Sequence, residues 1–241
     1  MSSSISSHSS LSLNLEDNGV YVLEKRSGVS FPSILGPSLK LCGVGLRKKS
    51  LIPFISFDVY AFGVYAADED IKQYLSWKYR KFSASKLQGK KEFIDDLMES
   101  CRSLGDRTIK NCFKGEYFLQ LTISFSYVKD LVIASLYLLV LNMWGNFIFG
   151  NEEFKREDIK EERRRFTSQF RDEYKIPCGS VIHLLREKGH VLHTLIDGQE
   201  VGSIQSKLLC KSILDLYVGE EVFDEPAKEE IENNVATYLR C

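Results

Sequence analysis

Residues 39–70 read LKLCGVGLRKKSLIPFISFDVYAFGVYAADED. Two runs rich in β-branched and aromatic side chains, 39–46 and 54–66, flank a short basic patch, which is the pattern of two adjacent strands. The spacing predicts an antiparallel pair, with Arg47 to Pro53 supplying the connection. Gly43 and Gly45 match two glycines of a dinucleotide-binding fingerprint, but the third is missing and a strand follows where a helix would be required. Glycines inside a strand fit close backbone approach, or a bend beside a ligand. What needs explaining is Arg47, a cation at the end of a strand otherwise made for a core.

Toward the N-terminus, GVYVLEK (19–25) reads as a further strand and RSGVSFPSILGPS (26–38) as a loop punctuated by glycine and proline. Residues 1–15 are serine-rich and free of acid until Glu16. Organelle transit peptides share that bias, but they also carry arginine, which is missing here. We read 1–18 as a disordered tail, with plastid or other organelle targeting as the second reading. The remainder, 19–241, reads as one domain, and the chain as intracellular, cytoplasmic if the tail is not a targeting segment.

Toward the C-terminus the period changes to helical. EDIKQYLSWKYRKF and KKEFIDDLMESCRSL place Ile71, Tyr74 and Leu75, then Phe93, Ile94, Leu97 and Met98, three and four apart, with Gly89 as a breaker between them. EYFLQLTISFS returns to strand. The segment from Leu131 to Phe149 carries no charge and is long enough to cross a bilayer. Ser135, Asn142 and Asn146 nevertheless fall in one narrow sector of a helical wheel, which fits a helix buried in protein rather than one surrounded by lipid. The following stretch, EEFKREDIKEERRRFTSQFRDEY, mixes charge signs around a stripe of Ile159, Phe166, Phe170 and Tyr174, so its other face is solvated.

The last third is a meander. Lys188-Gly189 and Asp197-Gly198 supply hairpin turns between three strands. Two closing helices follow, the first stopped by Gly219 and the second begun by Asp224 and Pro226.

Composition narrows the function. A chain of 241 residues, 44% hydrophobic and with a net charge of -1, can bury a sizeable core and has no overall field to attract nucleic acid. Its six cysteines form no CxxC pair and read as reduced, mostly packing residues. P-loop, Rossmann, HExxH and GxSxG patterns are missing, as is any Cys/His set at zinc spacing. His183 and His193 lie on strands with no carboxylate at matching spacing to complete a site. We expect no metal, no cofactor and no catalytic residue.

The stretch 39–70 resembles the signature of the chalcone isomerase family, and GSVIHLLREKGHVLHTLIDGQEVGSIQSKLLCKSILDLYVGEEVFDEPAKEEIE (179–232) resembles that family's C-terminal half. The resemblance implies an α+β fold, an open-faced β-sandwich of chalcone isomerase type. In it a large antiparallel sheet is covered by a layer of helices, with a ligand cleft between the two.

The family has a catalytic branch, which cyclises chalcones to flavanones, and a fatty-acid-binding branch. Arg47 matches the arginine that both branches carry after the GxG run. Tyr60 matches the tyrosine characteristic of the fatty-acid-binding branch, where the catalytic branch usually has threonine. The enzyme's lysine falls near Ile123 and its Ser/Thr at Leu216, while Tyr127 is a stand-in for the catalytic tyrosine. The resemblance thus implies noncatalytic binding of a fatty acid or similar apolar carboxylate, held at its head by Arg47 and Tyr60, with a role in lipid metabolism. The alternative is an intramolecular lyase of chalcone isomerase type.

Asp58 argues against a carboxylate ligand. It shares strand parity with Tyr60 and would repel a carboxylate unless it turns to solvent or pairs with Lys48 or Lys49. We expect a monomer that neither binds nucleic acid nor spans a membrane.

Overall fold

The computed structural model describes residues 19–36, 39–52, 55–100, 117–123, 156–170, 176–187 and 189–240. The tail 1–18, the uncharged segment 131–149, Tyr127 and Tyr174 lie outside them. Among the described residues no helix is long and apolar enough to cross a membrane.

Among the described residues nine strands form two antiparallel sheets. A hairpin of β1 (Tyr21–Glu24) and β2 (Val29–Pro32) stands apart from a seven-stranded sheet of β3 (Ile34–Leu35), β4 (Leu39–Ile52), β5 (Ile55–Ala67), β6 (Tyr117–Ile123), β7 (Val181–Glu187), β8 (Val191–Ile196) and β9 (Gln199–Gln205), paired in that order. The described helices are α1 (Asp68–Tyr79), α2 (Ala84–Leu87), α3 (Lys91–Ser100), α4 (Arg156–Thr167), α5 (Lys207–Val218) and α6 (Glu225–Tyr238).

Two sequence expectations need correction. Residues 26–38 do not form a plain loop. Val29 to Pro32 pairs with β1 and buries Phe31, with the proline at the strand's end, where a lost amide donor costs least. Nor do Arg47 to Pro53 form the β4–β5 connection. Strand β4 runs on to Ile52, and Lys48, Lys49 and Ser50 pair with Asp58, Phe57 and Ser56. The basic residues do not break the strand, and Lys48 pairs across it with Asp58.

Alternation along β4 and β5 separates two apolar layers. Tyr60, Phe62, Val64 and Ala66 face the helices, together with Ile71, Leu75, Phe93, Leu97, Phe166, Ile213, Tyr217 and Ile231. Val44, Leu46, Ala61 and Tyr65 face the other way, toward Phe31.

Helix α6 lies directly on β4, and the two glycines explain how. A Cβ on Gly43 would stand 2.7 Å from Ile231 Cγ1, and one on Gly45 would stand 2.6 Å from the Ala227 Cβ. The close approach that strand glycines allow therefore admits a helix here. Beside Gly43 the strand bulges, and α6 bonds the carbonyls there: Asn234 Nδ2 donates to Cys42 O at 2.8 Å and the Tyr238 hydroxyl to Leu41 O at 2.8 Å.

The meander turns differ in length. Asp197 (φ 49°) and Gly198 (φ 82°) form the expected two-residue turn with both positions left-handed. Three residues separate β7 from β8, and there Gly189 (φ 81°) and His190 (φ 63°) take the left-handed positions. Ser206 caps α5 by accepting from Leu209 N, and Gly219 ends it, its amide donating to Asp215 O. Phe166 of α4 and Phe170, just past its end, are buried edge to face, while Arg164 pairs with Glu161 on the solvated side of the helix. Cys42 and Cys210 are buried thiols outside any disulfide, in keeping with a packing role.

Candidate functional site

Arg47 and Tyr60 are directly opposite one another across the β4–β5 pair, so their side chains leave the sheet on the same face. That face is the helix-covered one, because Gly43 and Gly45, at the same parity as Arg47, contact α6, and Tyr60 belongs to the helix-side core. The structure thus brings together both residues singled out in the sequence.

Immediately past this pair the register slips. Arg47 faces Tyr60, but Lys48 faces Asp58, leaving Val59 as the extra residue of a bulge. The slip carries Asp58 to the opposite face from Tyr60, where its Oδ1 lies 3.5 Å from Lys48 Nζ, both side chains being well exposed. Val59 is completely buried in the same core as Tyr60. A carboxylate that uninterrupted alternation would set beside Tyr60 is thereby removed and neutralised.

Tyr60 is completely buried, and its hydroxyl lies 3.1 Å from that of Tyr217 on α5, itself 1% exposed. Two hydroxyls in such a pair use one hydrogen between them, so the accepting partner keeps its own O–H for a third group. Burial pushes the Tyr60 phenol up to about 12, against opposing effects of the Tyr217 hydrogen bond and the Arg47 charge. Burial also drives Tyr217 well above the ordinary phenol range, and the Arg47 charge again opposes the shift. Both phenols are neutral donors at physiological pH, within the field of one cation.

Arg47 is half-buried, and its guanidinium stacks on the Phe223 ring with Cζ 3.7 Å from the centroid. Stacking holds the planar group in place while leaving its edge donors free to bond. Arg47 Nε is buried and has no hydrogen-bond partner among the described residues. Phe223 is positioned in turn by its amide, which donates to Leu216 O at 3.0 Å, and by an edge contact with Tyr217 at 5.7 Å. Phe62 also meets Tyr217 edge to face, at 4.8 Å.

The sequence reading missed Tyr217. It placed the enzyme's hydroxyl position at Leu216, which is buried in the apolar core, whereas the hydroxyl in this helix belongs to the next residue. The signal available was a single phenol in the stretch ILDLYV, apolar but for Asp215. Ile123, at the position of the enzyme's lysine, pairs with Tyr60 in the β5–β6 register. His183 and His193 are buried on β7 and β8, remote in register from Arg47 and Tyr60. His193 lies between Glu200, 2.7 Å from Nδ1, and Glu187, 3.2 Å from Nε2, carboxylates the sequence reading did not connect with it.

Comparison with known proteins bears on this geometry. A family model described as chalcone isomerase like matches residues 37–232. The chain is 42% identical to fatty-acid-binding protein 1 of Arabidopsis thaliana over 94% of its own length and 74% of that protein's. It is 27% identical to chalcone isomerase-like protein 1 of Humulus lupulus over 87% of each. The crystal structure of an Arabidopsis thaliana fatty-acid binding protein superposes with a TM-score of 0.72 at 40% identity, covering 91% of this chain and 99% of that one.

Proposed function

The chain belongs to the chalcone isomerase-like family, and from that premise we propose that it binds a fatty acid without catalysis, in the service of lipid metabolism. Arg47 grips the carboxylate and the Tyr60–Tyr217 pair donates the remaining hydroxyl hydrogen to it. The acyl chain lies along the apolar helix-facing side of the sheet. The observation that carries this reading is Arg47 Nε, buried without a protein acceptor, on a guanidinium facing Tyr60 across the strand pair. A charged donor so placed bonds an anionic acceptor more strongly than a neutral one. The fatty-acid-binding relative supports the same ligand class.

Each buried methylene contributes about 0.8 kcal/mol before the costs of ordering and association, so the tail supplies most of the affinity and the head group sets its orientation. Aliphatic side chains at Ile123 and Leu216 cannot supply the charge and hydrogen bonds that cyclisation of a chalcone would need there.

Titration calorimetry with a fatty acid and an alcohol of equal length tests the reading. Arg47→Ala should weaken acid binding by about 1.5–3 kcal/mol and Tyr60→Phe by about 0.5–1.5 kcal/mol. The alcohol should bind less tightly to wild type and lose less in Arg47→Ala. Equal binding of acid and alcohol, insensitive to both substitutions, would defeat the proposal. So would a chalcone-cyclising rate that disappears in Arg47→Ala.

A further inference from the structure

Residues 71–91, from α1 through the start of α3, contain seven lysines and arginines and no aspartate or glutamate, in a chain whose charges as a whole nearly cancel. Fold geometry concentrates this charge further. Lys72, Arg80 and Lys81 converge with Arg240, from the end of α6, around a surface concavity of about 470 Å³ completed by Ser76 and Leu239. Arg240 is fixed there, its Nη2 donating to the Phe82 carbonyl at 2.8 Å. Arg80 and Lys81 are exposed, and neither side chain makes an ion pair among the described residues. Lys78 and Lys91, by contrast, are paired with Asp96 and Glu220.

Two exposed large apolar side chains, Trp77 and Phe82, adjoin in sequence the lining residues Ser76 and Lys81. Trp77 is 78% exposed and Phe82 40%. Arg80 and Lys81 follow Trp77 by three and four positions, so the indole and the two cations share one face of the chain as α1 ends. A soluble anion would use the cations and leave the indole in water. A bilayer surface uses both, because lipid phosphates meet the cations while tryptophan and phenylalanine sit in the interfacial zone beneath them.

We propose that this face docks the protein on an anionic lipid bilayer, with headgroup phosphates in the concavity and Trp77 and Phe82 entering the interface. Fatty acids partition into bilayers, so docking would place the protein at a source or destination of its proposed ligand. The docking does not depend on that reading, since it uses none of Arg47, Tyr60 or Tyr217.

The test is flotation of the full-length protein with vesicles of phosphatidylcholine alone, or of phosphatidylcholine mixed with phosphatidylglycerol, at low and high salt. Binding is expected only to the anionic vesicles and should fall steeply with salt. Each basic residue near a charged surface contributes about fivefold to partitioning, so the double variant Arg80→Glu/Lys81→Glu should bind at least tenfold less. Trp77→Ala should also bind less. In a Trp144→Phe background, which leaves Trp77 as the sole tryptophan, its emission should shift to the blue on anionic vesicles. Arg47→Ala should dock normally. Circular dichroism and intact fatty-acid binding would show that the surface variants are folded.

Equal binding to neutral vesicles, or undiminished binding of the charge-reversed variant, would overturn the proposal. Full competition by inorganic phosphate would overturn it in favour of a soluble-anion site. Binding of polyglutamate without binding of any vesicle would overturn it in favour of an acidic protein partner.

Discussion

The hydroxyls of Tyr60 on β5 and Tyr217 on α5 lie 3.1 Å apart in a completely buried contact between sheet and helix layer. Burial raises the Tyr60 phenol from its ordinary value near 10 to about 12. The unfolded chain therefore releases this proton before the folded one does, and stability falls as pH rises from about 10 toward 12. A shift of this size corresponds to roughly 2–3 kcal/mol at the upper end. Tyr60→Phe should flatten the decline, as read from denaturant midpoints at successive pH values above 9. An unchanged slope would mean that Tyr60 ionises no later in the folded chain than in the unfolded one.

Gly45→Ala should destabilise the protein by about 1–3 kcal/mol, because the new methyl group would overpack against Ala227 and Phe62 where α6 rests on β4. A lowered midpoint with unchanged denaturant dependence is expected. A neutral effect would show that α6 can lift off the sheet without cost.

How far the sequence could be read follows from which patterns are local. Strand alternation in 39–46 and 54–66 and the Asp197-Gly198 turn are properties of neighbouring residues, so the cores of β4 and β5 and the β8–β9 hairpin were legible, whereas Arg47, expected in the connection, is a strand residue only by its pairing with Tyr60. The role of Tyr217 was not legible. Helical periodicity correctly assigns it to the apolar side of α5 but cannot show that its hydroxyl meets another from a strand 157 positions earlier. Asp58 misled for a related reason. Parity counts assume an uninterrupted strand, and the bulge at Val59 inverts the face of everything beyond it. Strand β2 was hidden because its four residues are crowded by glycine and proline, and only its pairing with β1 makes it a strand.

His183 predicts an acid response separate from the ligand site. Burial lowers its pKa from about 6.5 to about 4. Below pH 6.5 the unfolded chain binds a proton that the folded chain refuses, so stability is full above 6.5 and declines as pH falls toward 4. The total reaches roughly 3 kcal/mol. His183→Gln should remove the part of the decline seen between pH 6.5 and 5, before most carboxylates titrate. Identical pH profiles for variant and wild type would assign the acid response to other groups.

Asp224 connects the stability of the fold to the geometry of Arg47. It occupies the N-cap position of α6 but makes no capping bond with its side chain. Its Oδ2 instead accepts the Leu46 amide at 2.9 Å and a bond from the Arg26 guanidinium, whose Nε also donates to Glu24 at 2.7 Å. Leu46 precedes Arg47, and Asp224 follows Phe223, on whose ring the Arg47 guanidinium stacks. One hydrogen bond therefore fixes the backbone beside both members of the stacked pair. Asp224→Ala should orphan the buried Leu46 amide at a cost of about 1–3 kcal/mol and weaken fatty-acid binding as well. Asp224→Asn retains an acceptor for that amide while losing the charge that faces Arg26, so it should lose stability but bind ligand more nearly as wild type does. Arg26→Ala, at a half-exposed side chain, should affect stability modestly and binding little. Denaturation midpoints and ligand titrations on the three variants separate the two roles. Loss of binding in Arg26→Ala as severe as in Asp224→Ala would show that the ion pair, and not the bond to Leu46, holds Arg47 in place.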